Sequence, residues 1–347
     1  MSHNKVALIT GILGQDGSYL TEFLLKKGYK VIGVKKRSNF FNVQLKNYLM
    51  EVSKDSSGEL IIEDGDLTDT SNINALLNKY KPDEIYNLAA MSYVHDSFIV
   101  PEYTTDTDAT GCLRVLESVK NLGLKNTRIY QASSSEMFGA SPPPQNEETV
   151  FHPRSPYGVA KVYSYHIMRN YRESYNIFAS NGILFNHESP RRPEYFVTRK
   201  ISANVARLKL KQIDKFSLGN LDAKRDWGYA GDYVEGMWMI LNHEEPDDFV
   251  LATGEAYSVR DFVNFAFKSI DIDIIWEGSG LDEKAIEKST GKVLVDINKE
   301  FFRPSEVDFL LGDYTKAKKI LGWEPKTKIN KLVDMMIQSD IHNFSEA

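Results

Sequence analysis

Short apolar runs alternate along the first half of the chain with stretches whose apolar residues recur at helical spacing. Runs at 5–9, 31–34, 60–63, 84–88, 127–132 and 177–184 read as strands. Between the first two, Tyr19, Leu20, Phe23 and Leu24 share one helical face, and Gly28 is placed to close that helix. Strand, helix and strand within about 30 residues make a βαβ unit, and its repetition predicts a parallel sheet covered by helices on both faces. From 189 onward the alternation weakens, and Pro, Arg and aromatic residues become prominent. The segment 225–240 reads as a return to the core, so two lobes interleave in sequence. Residues 142–144 (PPP) predict a rigid turn, and the polar stretch 278–299 a mobile insertion.

Composition bounds the function. The 347 residues are 42% hydrophobic and 26% charged, enough for a buried core and against disorder. A net charge of −6 opposes broad attraction to nucleic acid, so anion binding has to come from local basic clusters. Cys112 is the only cysteine, which excludes an internal disulfide and argues against a cysteine metal site. The opening residues enter an apolar strand without a signal peptide's long apolar stretch, and no run approaches membrane-spanning length. The expectation is a cytoplasmic protein with no metal, no nucleic-acid partner and no membrane.

The first chemical signal is TGILGQDG, which places Gly11, Gly14 and Gly17 between a strand and a helix, with Gln15 and Asp16 among them. Glycines here let backbone N–H groups approach a pyrophosphate lying against the positive end of the helix dipole. The plainer alternative is a loop closing an ordinary crossover. About 20 residues further on, NAD-binding versions carry a carboxylate for the ribose hydroxyls. This chain instead reads Lys35, Lys36, Arg37, Ser38. Arg37 pairs with a 2′-phosphate and Ser38 donates to it, which favours NADP, unless the cluster is only a solvated basic loop. After the third strand, Asp66 and Leu67 are placed to flank adenine, or Asp66 caps the following turn.

Tyr157 and Lys161 stand four residues apart in SPYGVAK, on one face of a helix. An unperturbed tyrosine, with a pKa near ~10, is a poor base at neutral pH. A nearby ammonium favours its phenolate, which then accepts a hydroxyl proton as hydride leaves the same carbon. Upstream, QASSSEMFG brings Ser133, Ser134, Ser135 and Glu136 to the carboxyl edge of the sheet, where open α/β folds bind ligands. A carboxylate there can remove an acidic proton.

These segments together resemble the extended short-chain dehydrogenase/reductases, and within them the GDP-mannose 4,6-dehydratases. TGILGQDGSYLTEFLLKKGY, YNLAA, QASSSEMFG, RSPYGVAK, NYRESY, FNHESPRR, FVTRKI, LGNLDAKRDWG and FFRPSEVDFLLGD look like that family's segments in its order, over roughly residues 5–325. The resemblance implies a doubly wound parallel Rossmann sheet with a smaller, interleaved α/β substrate lobe. Residues 1–188 and about 225–250 would bind NADP, and about 189–224 and 251–347 a GDP-sugar. Tyr157 becomes the base at C4, Lys161 its partner, Glu136 the base at C5, and Ser134 the hydroxyl assisting the sugar, at a position where the family usually has Thr. The implied cofactor contacts are Gly11, Gly14, Gln15, Asp16, Gly17, Arg37, Ser38, Asp66, Leu67, Leu88, Ala90, Tyr157, Lys161, His187 and Arg192. Asn186, Lys200, Arg225, Arg303 and Glu306 fall to the GDP portion. Met91, Ser92 and Tyr93 stand where the family commonly reads Gln-Ser-His, beside the nicotinamide and sugar, which puts the sugar's identity in doubt.

The implied reaction oxidises C4, eliminates water across C5 and C6, and returns the same hydride to C6, giving GDP-4-keto-6-deoxy-D-mannose. A related GDP-heptose or GDP-amino-sugar dehydratase, a GDP-sugar epimerase or reductase, and a silent NADP-binding scaffold are the rivals. An epimerase or reductase needs no C5 base of this type, which Glu136 supplies. The family likeness also implies a homotetramer, with a dimer as the smaller alternative. Helices near 103–121 and 156–175 would offer a shared face, and the loop after Arg37 would complete a neighbour's cofactor site.

Overall fold

The computed structural model describes residues 4–37, 42–302 and 305–345. Strand β1 (Val6–Thr10) is buried at every position, as expected of a strand covered on both faces, and leads through the glycine turn into helix α1 (Gln15–Lys26). There follow β2 (Lys30–Lys35), α2 (Val43–Lys54), β3 (Glu59–Asp64), α3 (Thr70–Tyr80) and β4 (Glu84–Asn87). Helices α4 (Val94–Ile99) and α5 (Pro101–Thr105) run through a π-helical turn at Asp106–Thr110 into α6 (Gly111–Asn121). Next come β5 (Arg128–Ser134), α7 (Pro156–Tyr175) and β6 (Ala179–Leu184). Ser155 caps α7 by accepting from the Gly158 amide at 3.0 Å, and Pro156 opens the helix where its missing N–H costs nothing.

The second half interleaves. Strand β7 (Asn186–Glu188), α8 (Val197–Lys209), β8 (Phe216–Leu218) and β9 (Lys224–Tyr229) precede α9 (Ala230–Leu241) and β10 (Phe249–Leu251). After them come β11 (Ala256–Ser258), α10 (Val259–Lys268), β12 (Ile274–Glu277), β13 (Lys284–Glu287), β14 (Val293–Ile297), α11 (Thr315–Leu321) and α12 (Ile329–Ser345).

Seven strands form the main sheet in the order β10-β6-β5-β4-β1-β2-β3, every pair parallel. The order reverses between β1 and β4, and the carboxyl ends of those strands open the crevice in which such sheets bind ligands. The chain re-enters this sheet through α9, which packs on α1, and β10, which pairs with β6. One apolar layer joins α1 and α9 to the sheet through Leu20, Leu24, Met237 and Ile240; the other joins α3, α6 and α7 through Leu77, Leu116 and Met168. Each such side chain, fully buried, contributes ~1.5–3 kcal/mol.

Strands β11, β9 and β7 make a small sheet, and β12, β13, β14 and β8 another. The expectation of a mobile insertion at 278–299 is corrected by this second sheet, in which Ala285, Leu294 and Val295 are buried against α8, α10 and α12. A sheet solvated on one face reads as a polar segment.

Candidate active site

The glycine turn is held from both sides. Gly11 adopts φ +74°, and a Cβ there would lie 3.0 Å from Ala89 Cα. At Gly17 a Cβ would fall 2.3 Å from the Gly11 carbonyl, so α1 can lie this close to the turn only without a side chain. Gln15 donates to the His187 carbonyl at 3.0 Å and accepts from Ser189 Oγ at 2.8 Å. His187 places Nε2 2.7 Å from Asp16 and Nδ1 2.8 Å from the Phe185 carbonyl. Both ring nitrogens face acceptors, so the ring is an imidazolium. Burial opposes its charge, but the Asp16 carboxylate outweighs that and raises the His187 pKa, while Asp16 is held below the usual carboxylate range against its own desolvation.

At the end of β2 the cleft wall is formed by Lys35 and Lys36, and Arg37 is exposed. Lys36 lies 3.4 Å from Asp66, bonds the Tyr103 hydroxyl and stands 4.6 Å from that ring's centre. Asp66 both lines the cleft and caps the next turn, accepting from the Thr68 amide and hydroxyl at 3.0 and 2.9 Å. Leu67, Leu88 and Ala90 line the same cleft. Thr10 fixes the loop after β4 by accepting from the Leu88 and Ala89 amides. Tyr103 and Thr10 were not singled out in the sequence, and Lys36 only as a member of the basic cluster. Ser38 and Arg303 lie outside the described residues.

Strand β5 runs two residues further than its apolar core, pairing Ser133 with Ile183 and Ser134 with Leu184, and a 3₁₀ turn at Ser135–Met137 then presents Glu136. Ser134 accepts from the Glu136 amide at 3.2 Å. Tyr157 and Lys161 approach from α7, and Ser134, Glu136, Tyr157 and Lys161 are all buried along one cleft. Burial pushes the Tyr157 phenol above its ordinary pKa and nearby Asp108 adds to this, while the Ser134 hydroxyl draws it down. The Lys161 amine lies 5.6 Å from the Tyr157 ring centre, donates to the Ala132 carbonyl at 2.9 Å, and is lowered by desolvation.

Beyond this group the cleft reaches Arg225, 3.4 Å from Glu306, and Lys200, whose amine stands 3.2 Å from the Phe301 ring centre. Asn186 Oδ1 is buried without a partner among the described residues. Arg192 pairs with Glu188 at 3.2 Å and covers Phe196. Tyr93 packs on Tyr195 and Phe196, with ring centres 4.8 and 5.6 Å apart, as an aromatic wall of the cleft. Helix α8, which carries Lys200, is tied to α12 where Arg199 meets Asp340 at 2.6 Å and Ser202 donates to the same carboxylate at 2.8 Å. The whole cleft encloses about 1770 Å³. Among the described residues no helix is long and apolar enough to cross a membrane.

A parallel sheet with a glycine turn at its switch point and a buried Tyr/Lys pair beside it defines an enzyme of the short-chain dehydrogenase/reductase type. The family model described as GDP-mannose 4,6 dehydratase matches residues 8–336, and the chain belongs to that family. It is 54% identical over 343 residues to the GDP-mannose 4,6 dehydratase of Drosophila melanogaster, covering 98% of this chain and 87% of that one. To the human protein of the same name it is 53% identical over 340 residues, covering 97% and 91%. Among solved structures, the UDP-glucose 4-epimerase of Thermotoga maritima with UDP-glucose superposes with a TM-score of 0.80 at 21% identity, over 99% of this chain and all of that one, a likeness of fold. The family makes the chain an NADP-dependent nucleotide-sugar dehydratase, a hydro-lyase.

Proposed function

We propose that this chain converts GDP-D-mannose to GDP-4-keto-6-deoxy-D-mannose and water, with Tyr157 as the base at O4 and Glu136 as the base at C5. The observation that carries the reading is the convergence of Glu136, Ser134 and Tyr157, from two elements of the main sheet's crevice, on one buried wall of the cleft. NADP, when bound, takes up hydride from C4 and gives it back at C6. The fit to that cofactor is supported at Gly14, where a Cβ would meet only the Gly11 carbonyl within 4 Å and otherwise project into open space. Lys36, Asp66 and Tyr103 stand at the end of β2 that would receive the adenosine, with Arg37 and Ser38 following.

Tyr157 accepts the O4 proton as C4 becomes a ketone. The ketone acidifies C5–H, and Glu136 removes that proton. The C6 hydroxyl departs with a proton as water, which Glu136 is placed to supply, and the proton held at Tyr157 balances the one returned to C5. Ser134 hydrogen-bonds the sugar oxygen and keeps it in line with Tyr157. Asn186, Lys200, Arg225 and Glu306, joined by Arg303, hold the GDP portion. His187 and Arg192 stand against the cofactor, as do Gln15 and Asp16. Residues 1–188 with about 225–250 serve NADP, and the remainder the GDP-sugar. Incubation with GDP-mannose, read by mass spectrometry, should give a product lighter by one water, and extraction of the protein should recover NADP(H). An unchanged substrate counts against the dehydration, and recovery of NAD(H) alone against the basic cluster.

Lys200 gives this reading a pH signature. Burial lowers its amine to about 8. Above that pH the free enzyme presents a neutral amine, and a diphosphate gains less on binding. KM for GDP-mannose is therefore expected to rise by up to about tenfold per pH unit above about 8, with kcat held. Lys200→Gln should flatten that rise. A KM constant to pH 9.5 would remove Lys200 from the diphosphate subsite.

The same reading places the protein in the cytoplasm as a homotetramer, with a dimer as the smaller form. Exposed Ile99 on α4 and Val159 and Tyr163 on α7 support a helical face for a second copy. A monomer in light scattering counts against it.

A further inference from the structure

A strap of chain, residues 305–312, ties the GDP end of the cleft to the segment that carries Glu136. Glu306 on the strap lies 3.4 Å from Arg225, and Val307 and Leu310 are buried in one apolar cluster with Met137 and Phe138, the residues that follow Glu136. On one side the strap bridges to β9: the Lys224 amide donates to the Asp308 carbonyl at 2.8 Å, and the Leu310 amide to the Lys224 carbonyl at 3.1 Å. On the other side it meets Gln145, which is 0% exposed. The Gln145 backbone donates to the Leu311 carbonyl at 2.8 Å and accepts from the Asp313 amide at 2.9 Å. The side chain reaches further along the strap. Its Oε1 accepts from the Leu311 amide at 3.0 Å, while Nε2 donates to the Ser141 carbonyl at 3.0 Å and to the Phe309 carbonyl at 3.4 Å. Two carbonyls on the nitrogen and one N–H on the oxygen suit a carboxamide and no other side chain of this size. Ser141 belongs to the loop after Glu136, where its amide donates to the Phe138 carbonyl at 2.9 Å. At the strap's other end Arg154, just ahead of α7, donates from Nε to Ser305 Oγ at 3.1 Å.

We propose that Gln145 is a positioning residue for the nucleotide: its side-chain amide fixes the strap against the loop after Glu136 and so holds Glu306, with Arg225 beside it, where GDP meets them. This rests on the reading of Arg225 and Glu306 as GDP contacts. The backbone bonds at Gln145 can be made by any residue, and they hold only the strap's far end. The Phe309 carbonyl and the Leu311 amide, nearer Glu306, are reached on this side by the side chain. Without it, the Ser141 and Phe309 carbonyls and the Leu311 amide lose a buried partner, and the strap shifts to find others. The GDP portion does not change during the reaction, so a slack strap weakens the hold on substrate and transition state alike. That is a loss in KM with kcat held.

GDP itself is the probe, titrated by calorimetry into the NADP-loaded enzyme beside steady-state kinetics on GDP-mannose. Gln145→Leu keeps the volume and deletes all three side-chain bonds. The Kd for GDP and the KM should rise together by on the order of tenfold, with kcat and NADP(H) content held. Gln145→Glu adds a signature of its own, because a carboxyl replaces the amide only while it carries a proton to donate to one of the two carbonyls. Burial keeps such a carboxyl protonated above its ordinary range, so GDP binding should be close to the parent's at about pH 6 and fall away from it toward about pH 8.5. Comparison with the parent at each pH removes the contribution of Lys200, which is common to both. A residue that serves stability alone would lower the melting midpoint of both variants and leave the GDP Kd and its pH dependence those of the parent, and that outcome overturns the proposal. If Gln145→Leu does not fold, Gln145→Asn, an amide one methylene too short to span both sides, carries the same comparison. A parent that does not bind GDP overturns the reading of Arg225 and Glu306 and this inference with it. A parent that binds GDP, beside variants whose Kd has not moved, overturns the inference alone.

Discussion

Tyr157→Phe protein mixed with GDP-mannose is expected to form no transient NADPH, whereas Glu136→Gln protein forms it and then stalls. Phenylalanine keeps the ring packed in its buried site but has no oxygen to take the O4 proton, so the first step fails. Glutamine keeps the size and hydrogen-bonding capacity of Glu136, and its backbone N–H still donates to Ser134 Oγ, but it is not a base. Oxidation then proceeds and elimination does not. Stopped-flow absorbance of bound NADPH reads the first step, and exchange of C5 hydrogen in deuterated water reads the second. Loss of a placed general base costs on the order of 10²–10⁴-fold in the step it serves. Release of water and C5 exchange at the parent rate in Glu136→Gln would assign the C5 proton to another group.

The second large effect is on stability. Asp340 is fully buried, and across the contact between α8 and α12 its Oδ2 accepts from Arg199 and Ser202 while a second Arg199 nitrogen stands 2.6 Å from Oδ1. Asp340→Ala strands a guanidinium whose side chain is 8% exposed. Breaking a buried pair from one side costs about 3–5 kcal/mol, which for a chain of this size lowers the melting temperature by about 4–7 °C. Replacing both partners with apolar residues, Asp340→Leu with Arg199→Met, should recover most of the loss, because no charge is then left buried. Calorimetry of the two proteins decides it. A single variant melting with the parent would mean that the pair is matched by water in the unpaired form and is not a clamp.

Most of the main sheet was legible because β1, β4 and β6 are buried at every position and carry enough apolar residues to stand out, whereas β10, only three residues long, was not read as a strand. Strand ends were less legible: Ser133 and Ser134 remain in register with β6 although they are polar, and periodicity carries no information there. Tyr157 and Lys161 were legible because their relation is local, one helical turn. The basic cluster after β2 was visible as a cluster, but which of its members turns inward depends on where the strand's alternation ends, and Lys35 and Lys36 line the cleft. Asp108 gave no signal, since an acidic residue in a helical stretch reads as a solvated face until a wide turn rotates it inward. Arg199 and Asp340 are 141 positions apart, beyond the reach of any local pattern.

The staples on the glycine turn have a bearing on how the protein is made. Gln15 and Asp16 are held by Ser189 and His187, 174 and 171 positions later, and the outer edge of the sheet is closed by β10 at Phe249–Leu251. A nascent chain that has delivered its first 150 residues from the ribosome thus owns the glycine turn and the Val34 carbonyl that accepts from the Gly11 amide, but neither Ser189 nor His187, and β6 has yet to be made. Even when β6 has emerged, its free edge waits until residue 251 is out. The contacts that fix Gln15 and Asp16 are accordingly completed late in synthesis, once Ser189 has emerged.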